Sequence, residues 1–295
     1  MAGSVSTIIV AIDPASPIKN CVREALRLTS SMGAELTALS VAPQYEGDLN
    51  RLTLKNTDIQ LRQPFEQCLQ EAADFAASCS MPIKTVLRHG NPGDEIVNWA
   101  EETEAGFIVI GSPRRSSMER VFLSRTTAGI ISLSPCDVLI IPEDAIIDFS
   151  RILVCINGSK HSMEAAQRAL DLAMSYGSTV HMLTVVDIPL DKSLRYGVLK
   201  EARRKALTTL QNLAEQGEKL EVNVVTELRD GTPYKNIVTY AEENDIQLTI
   251  LGSYGRTALE RMFFGSIVER VTALSTCPTL IVKKLGSGGI RNFIP

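Results

Sequence analysis

Short apolar runs alternate along this chain with segments whose apolar residues recur at helical spacing. In the second half, the pattern predicts a strand at 152–156 and then a helix with an alanine-rich face that ends near Gly177. Further elements follow in alternation: strand 179–186, helix 194–216, strand 221–227, helix 234–243, strand 248–252, a helix through Leu274 and strand 279–283. Strands this uniformly apolar are typical of a parallel sheet with helices on both faces.

The two halves of the chain are copies of one unit. Three segments recur: 154–160 repeats 10–16, 228–243 repeats 87–102, and 248–254 repeats 107–113. The first pair is 144 residues apart and the other two are 141 apart. This change of offset falls between the second strand and the Gly-x-Pro turn, where a change in loop length costs little.

The duplication sets the predicted architecture. We expect an α/β protein with two tandem, doubly wound, five-stranded parallel sheets of Rossmann-like type. The first domain is predicted at 1–145 and the second at 146–285, with the join inside 142–150. A glycine-rich tail at 286–295 is expected to be flexible.

A glycine-rich segment follows the fourth strand of the second unit. Gly252 and Gly255 end that strand and turn the chain, and Gly265 and Ser266 open the next helix. Backbone N–H groups at such positions can surround a phosphate, because no Cβ obstructs them. The alternative is two ordinary turns with a serine at the helix start. Ligands of open parallel sheets bind beyond the carboxyl ends of the strands, which favours the phosphate site.

The spacing Gly252-x2-Gly255-x9-Gly265-Ser266 resembles the nucleotide-binding motif of the universal stress protein family. The end of the first strand, the Gly-x-Pro turn and the final Cys-Pro-x-Leu-Ile-Val strand are similar to that family too, in both halves of the chain. The resemblance implies a fold like that of the adenine nucleotide alpha hydrolases. It also implies ATP, or else AMP or ADP, as the ligand.

The resemblance further implies which residues bind the nucleotide. In members that bind ATP, the ends of the first and second strands hold the adenine, which here means Ile156, Asn157 and Val185. The glycine loop and the following helix start hold the ribose and phosphates. The matching positions are Gly252, Ser253, Gly255, Arg256, Gly265, Ser266, Ile267 and Val268.

One residue departs from the family pattern. Members that bind ATP usually carry Asp at the end of the first strand, where this chain has Asn157. Asn still forms hydrogen bonds but lacks the charge that helps to organise Mg²⁺. A magnesium ion is therefore left open, with Asp187 and Asp191 as other acidic groups nearby.

The first unit has the opposite departure. It keeps Asp13, but its loop contains Pro113 and Arg114, and Ser124-Arg125 replaces the Gly-Ser pair. Three interpretations remain: a degenerate site filled by arginine side chains, a charged surface loop, or a site for another anion held by side chains.

Charge and composition exclude several classes of protein. The net charge is −4 and the pI about 5.6, so no affinity for nucleic acid is expected. No apolar run approaches the roughly 18 residues of a membrane span. The N-terminus lacks the basic region of a signal peptide. Six cysteines without a Cys-x-x-Cys pair indicate reduced thiols and a cytoplasmic protein. The histidines lack ligand spacing and are interpreted as structural.

Three functions remain. The first is a stress-response or signalling module in which nucleotide occupancy of the second domain alters dimerisation or binding to an unidentified protein partner, without efficient catalysis. The second is a slow ATPase, although no Walker or kinase motif is present. The third is a nucleotide-free dimeric scaffold. The resemblance implies a homodimer, since family members pair through their last strands.

Overall fold

The computed structural model of the chain describes residues 7–15, 18–44, 57–112, 123–187, 197–253 and 266–283. Residues 7–112 and 124–144 form one unit, and residues 145–283 form the other. Strands and helices alternate in both units, which confirms the predicted α/β class. The predicted tail at 286–295 lies outside the described residues.

The first unit contains five strands and four helices among its described residues. In chain order they are β1 (Thr7–Ala11), α1 (Ile18–Met32), β2 (Glu35–Ala42), α2 (Thr57–Ser78), β3 (Lys84–His89), α3 (Pro92–Glu102), β4 (Phe107–Ser112), α4 (Arg125–Leu133) and β5 (Asp137–Pro142). The strand order is β3-β2-β1-β4-β5, and these neighbours pair in parallel. The chain thus winds outward from β1 in both directions.

The second unit repeats that order. Its described elements are β6 (Arg151–Cys155), α5 (Lys160–Tyr176), β7 (Thr179–Val186), α6 (Val198–Lys219), β8 (Asn223–Asp230), α7 (Pro233–Glu243), β9 (Leu248–Gly252), α8 (Ser266–Leu274) and β10 (Thr279–Val282). The strand order is β10-β9-β6-β7-β8, again parallel. The direction of winding reverses at β6, so the switch point lies between β6 and β9.

The central strands are buried because helices cover both of their faces. In β6 and β9, Ile152, Leu153, Val154 and Ile250 have no exposed surface. The outer strand β8 is less covered, and Val225 is 40% exposed. Continuous apolar runs in the sequence therefore mark the middle of each sheet, as expected for parallel strands.

Helix α5 is capped at both ends by its own sequence. The Ser159 hydroxyl accepts the N–H of Ser162 at 3.2 Å and caps the helix start. Gly177 follows the last turn with φ of +67°, a left-handed conformation that glycine adopts without strain. The predicted end near Gly177 is therefore confirmed.

Helix α6 lies farther along the chain than predicted: it begins at Val198 and ends at Lys219, where 194–216 was expected. Gly217 lies inside the helix and packs against the Val224 side chain, leaving no space for a Cβ. The turn comes later, where Glu221 has a φ of +56°. Strand β8 begins two residues later than predicted for the same reason.

The length difference between the repeats lies in one loop. Helices α2 and α6 have 22 residues each, and their starts, Thr57 and Val198, are already 141 residues apart. Strands β2 and β7 are still 144 residues apart at their starts. The change of offset therefore falls between the second strand and the second helix of the unit, within the predicted interval.

Within the described ranges, no helix has the length and apolar character to cross a bilayer.

A buried histidine distinguishes the second unit from the first. His181 of β7 is 7% exposed, and its Nδ1 lies 2.9 Å from the Tyr240 hydroxyl of α7. Arg229 stacks over the same tyrosine ring, 4.8 Å from its centroid. Burial lowers the pKa of His181, and the charge of Arg151 lowers it further. The first unit has Thr37 at the position of His181 and Trp99 at that of Tyr240.

We expect the free energy of unfolding to fall as pH decreases below about 6.5, the ordinary pKa of histidine. The unfolded chain binds a proton there, whereas folded His181 resists it, so acid favours unfolding. His181→Thr, which copies the first unit, should reduce this dependence. Urea unfolding at pH 7.5, 6.5 and 5.5 measures it. An identical pH dependence in the variant would contradict the assignment to His181.

Candidate functional site

The candidate site lies where β6, β7 and β9 end. Cys155 pairs with Leu183, and the N–H of Ile156 donates to the Leu183 carbonyl at 2.8 Å. On the other side, Val154 pairs with Ile250. Ile156 and Gly252 each come two residues after that pair, so they reach the carboxyl edge of the sheet at the same height.

The adenine positions implied by the resemblance lie side by side at this edge. Ile156 is 3% exposed, and its N–H is already donated to the Leu183 carbonyl. Val185 lies in β7, in register with Arg229 of β8, and is half-buried. The parallel register places both residues at the carboxyl ends of neighbouring strands.

A hydrogen-bonded turn after β6 holds Asn157. Its Oδ1 accepts the N–H of Ser159 at 2.9 Å, and its own N–H donates to the Ser162 hydroxyl at 3.3 Å. The Ser162 hydroxyl donates in turn to the Ser159 carbonyl at 2.9 Å. Asn157 itself is exposed. The turn joins β6 to the capped start of α5 and fixes the orientation of the Asn157 carboxamide.

Gly252 is required by packing as well as by its place in the motif. A Cβ at this residue would lie 2.6 Å from the carbonyl carbon and oxygen of His161 and 2.8 Å from the Ser162 nitrogen. These are backbone atoms of the first turn of α5, which a rotamer change cannot move. The structure thus gives Gly252 a reason that the sequence did not reveal: β9 ends directly against α5.

Ser253 lies beneath the surface of the site. It is 1% exposed, and its N–H donates to the Val282 carbonyl of β10 at 3.0 Å. Among the residues that the structure describes, its buried hydroxyl has no hydrogen-bond partner. Its backbone N–H therefore belongs to the sheet and ties the end of β9 to β10.

Helix α8 starts at the same edge, because it runs antiparallel to the strands on either side of it in sequence. Ile267 in its first turn is 38% exposed, whereas Val268 is 7% exposed and faces the core. Arg270 stacks over the Tyr234 ring of α7 at 4.8 Å, which ties α8 to its neighbour. The N-terminus of α8, which is the positive end of the helix dipole, thus faces the carboxyl edge of the sheet.

Other candidate residues are not covered by the structure. Gly255, Arg256 and Gly265 lie outside the described residues, as do Pro113, Arg114 and Asp191. Ser266 begins α8, but its side chain is not described.

In the first unit, a side chain caps the start of the equivalent helix. Ser124 precedes α4, and its hydroxyl accepts the N–H of Thr127 at 3.0 Å. Arg125, the first residue of α4, is exposed. Asp13 makes a turn like that of Asn157, since its Oδ1 accepts the N–H of Ala15 at 2.7 Å.

Two basic residues that the sequence did not single out as site residues lie at the edge of the second unit. His161 is in the first turn of α5, and Lys283 directly follows β10. Burial lowers the pKa of His161, the charge of Lys283 lowers it further, and Glu164 opposes them. Their only sequence signal is their position, just after a helix start and a strand end.

Over the described ranges, no cluster of three or more His, Cys, Asp or Glu side chains forms a metal site.

Comparison with known proteins agrees with the duplication. Residues 5–142 and residues 148–283 each match the sequence model of the Universal stress protein family. A universal stress protein of Methanocaldococcus jannaschii is 35% identical over 144 residues, covering 46% of this chain and 83% of that protein. One of Mycolicibacterium smegmatis is 23% identical over 290 residues, covering 94% of this chain and 96% of its own length.

A solved structure shows the same fold across both repeats. The crystal structure of a universal stress protein from Archaeoglobus fulgidus DSM 4304 matches with a TM-score of 0.74 at 19% identity. The match covers 95% of this chain and 99% of that one.

Proposed function

Because the chain belongs to the universal stress protein family, we propose that its second repeat binds ATP or a related adenine nucleotide, AMP or ADP. Occupancy of this site would regulate binding to a protein partner, without efficient catalysis. We propose domain limits of 1–145 and 146–285, with one nucleotide site in the second domain.

The difference in helix capping between the repeats carries this proposal. In the first repeat, the hydroxyl of Ser124 accepts a hydrogen bond from the N–H of Thr127. The second repeat has Gly265 at that position, and glycine has no side chain that could accept the equivalent N–H, that of Val268. The start of α8 is therefore suited to an anion, which a helix N-terminus stabilises by about 0.3–1 kcal/mol at an exposed site.

The residues at the edge fit a nucleotide lying across β7, β6 and β9. The backbone of Ile156 and Val185 would hold the adenine, and Asn157 would face the ribose. Phosphates would reach the start of α8, near Ile267 and Val268, together with Gly255, Arg256, Gly265 and Ser266 of the loop. Mg²⁺ would arrive with the phosphates, because Asn157 supplies no carboxylate to hold it.

The first repeat is proposed to be a degenerate site. Its helix start is already capped by Ser124, and Arg114 replaces the second glycine of the motif. A backbone approach to phosphate would thus be hindered at two positions, although Asp13 is retained.

Calorimetric titration of the nucleotide-stripped chain with ATP, ADP and AMP tests the proposal. We expect binding with a stoichiometry of about one nucleotide per chain, since only the second repeat has glycine at the position before this helix. Mass spectrometry of ligand released by denaturing freshly purified protein would identify the nucleotide. Absence of binding by all three nucleotides would refute the proposal and leave the scaffold function. Two equivalent sites per chain would refute the degeneracy of the first repeat.

We also propose that the protein is a cytoplasmic homodimer. All six cysteines are free thiols, which fits a reducing compartment, and dimerisation is what the family resemblance implies. Light scattering at micromolar concentration should give the mass of two chains, and a single-chain mass would contradict the dimer.

A further inference from the structure

The first half of helix α6 concentrates positive charge in a chain that is acidic as a whole. Residues 198–209 contain four cations and one carboxylate, Glu201, whereas the net charge of the chain is −4. The structure describes every residue of this helix, and none of those before Leu210 is buried. About three helical turns therefore lie outside the protein core, although the second half of the helix packs into it.

Three of the cations and one apolar residue form a stripe along this half of the helix. Lys200, Arg203, Arg204 and Leu207 follow the spacing i, i+3, i+4 and i+7, which places them on one side of the helix. The side chains of Arg203 and Arg204 are 42% and 68% exposed, and Leu207 is 53% exposed. We call these four residues the basic stripe. Arginine is enriched at protein interfaces, and the exposed leucine adds apolar area that a partner can bury.

Neighbouring carboxylates offset only part of this charge. Arg203 pairs with Asp230 at the end of β8. Glu201 lies 2.8 Å from Arg204 and 3.4 Å from Lys205. In the described residues, these ion pairs set two carboxylates against four cations. Because they are exposed, such pairs are weak and can exchange for the carboxylates of a partner.

The first repeat has the same helix without the stripe. Helices α2 and α6 have equal lengths and start 141 residues apart. At this offset the positions of the stripe correspond to Ile59, Arg62, Gln63 and Glu66. The one cation among them pairs with Glu66 at 3.1 Å. The fold of the unit therefore does not require the basic stripe, which points to a role in binding.

The basic stripe lies at the same edge of the sheet as the candidate site. Asp230, which Arg203 contacts, is the last residue of β8 and is in register with Val186 of β7. Val186 directly follows Val185, one of the two positions proposed to hold the adenine. A partner on the stripe would thus lie next to the nucleotide site.

We propose that the basic stripe binds an acidic amphipathic helix of a partner protein, a step that rests on the proposed function because that function includes such a partner. Carboxylates at helical spacing would face Lys200, Arg203 and Arg204, and an apolar side chain would cover Leu207. A straight stripe on an exposed helix suits a second helix laid alongside it. A membrane surface suits it less. Val198, the other exposed apolar residue of this half, is nine residues from Leu207 and so lies on the opposite side of the helix.

Fluorescence anisotropy on the full-length chain tests the proposal. The probe is a labelled helical peptide of about 15 residues with glutamates and leucines on one face. A peptide with glutamine in place of each glutamate is the neutral probe. We expect the acidic peptide to bind at least about tenfold more tightly than the neutral one, as several exposed ion pairs allow, and salt to reduce the difference. Equal affinities of the two peptides would overturn the proposal.

The double variant Arg204→Gln with Leu207→Glu copies Gln63 and Glu66 of the first repeat. It should weaken binding of the acidic peptide at least about tenfold. It is expected to fold, because α2 is helical with these residues and both favour a helix. Lys205→Gln is the matched control, since it removes one charge on the side of the helix away from the stripe and should change the affinity less than about twofold. Equal losses in the two variants would overturn the proposal.

Other occupants of the stripe give different results. Binding to phosphatidylserine vesicles without binding to the peptide would assign the stripe to a membrane and overturn the proposal. Dissociation of a dimer by the double variant would assign it to a second copy of this chain, with the same consequence. ATP titration of the same preparations distinguishes this inference from the proposed function. Absence of ATP binding would refute the nucleotide site alone, because binding of the peptide requires no nucleotide.

Discussion

The double substitution Gly265→Ser and Ser266→Arg is expected to weaken ATP binding at least about 100-fold, because it removes phosphate contacts at the helix start. It copies Ser124 and Arg125 of the first repeat into the second. The new hydroxyl would accept the N–H of Val268, as Ser124 accepts that of Thr127. A phosphate oxygen would then lose that donor. The arginine side chain would also crowd the approach of the phosphate to the backbone.

The size of the effect follows from the hydrogen bonds that would be lost. A hydrogen bond to a charged group contributes about 1.5–3 kcal/mol, so the loss of two of them, from the N–H of Val268 and the hydroxyl of Ser266, weakens binding by at least about 100-fold. Stability should change little, because a serine cap favours a helix. Calorimetric titration and thermal unfolding of the same preparation separate the two effects. Wild-type affinity in the double variant would contradict a phosphate site at α8.

The reciprocal variant is the matched control. Ser124→Gly with Arg125→Ser removes the cap from α4 and should cost only a few tenths of a kcal/mol, about what a glycine replacement at a cap costs. Binding should remain at about one nucleotide per chain, since Arg114 still replaces a glycine of the motif. A second bound nucleotide would show that the Ser–Arg pair alone silences the first repeat.

Gly252→Ala is expected to destabilise the second unit by about 1–3 kcal/mol, the usual cost of forcing a methyl group into a packed interior. The added Cβ would meet the backbone of His161 and Ser162 at 2.6–2.8 Å. The start of α5 must then move away from β9, which also displaces the turn that holds Asn157. Nucleotide affinity should fall along with stability.

Hydrogen exchange locates this effect in the chain. Exchange in Gly252→Ala should accelerate in peptides from β6, β9 and the first turn of α5, and remain unchanged in β1 and β4 of the first unit. Gly129→Ala serves as the control. Gly129 lies in helix α4 with nothing within 4 Å of a built Cβ, so alanine should stabilise that helix by up to about 1 kcal/mol. Equal stability of Gly252→Ala and wild type would show that the start of α5 moves away from β9 at little cost in free energy.

Much of the fold could be predicted from local sequence patterns, because these patterns favour the same elements in any tertiary context. Apolar runs predicted the strands, and the repeat predicted two copies of one α/β unit, because burial on both faces of a parallel sheet requires such runs. Helix α5 ended where Gly177 predicted, since a left-handed cap depends only on neighbouring residues. The end of α6 was predicted three residues too early, and Gly217 inside that helix packs against Val224, which comes only after the turn.

Some features of the candidate site could likewise be read from the sequence, and others could not. The sequence alone determined the duplication, the glycine motif and the exchange of Asp for Asn at the end of the first strand, because these are read by position. Only the tertiary structure showed that Gly252 lies against the backbone of α5, that Ser124 occupies the helix start in the first unit, and that His181 pairs with Tyr240. Gly252 and His181 meet partners 91 and 59 residues away in the chain, and even the nearby Ser124 cap depends on a side-chain rotamer. Spacing in a sequence carries no information about such contacts until the strands are placed side by side.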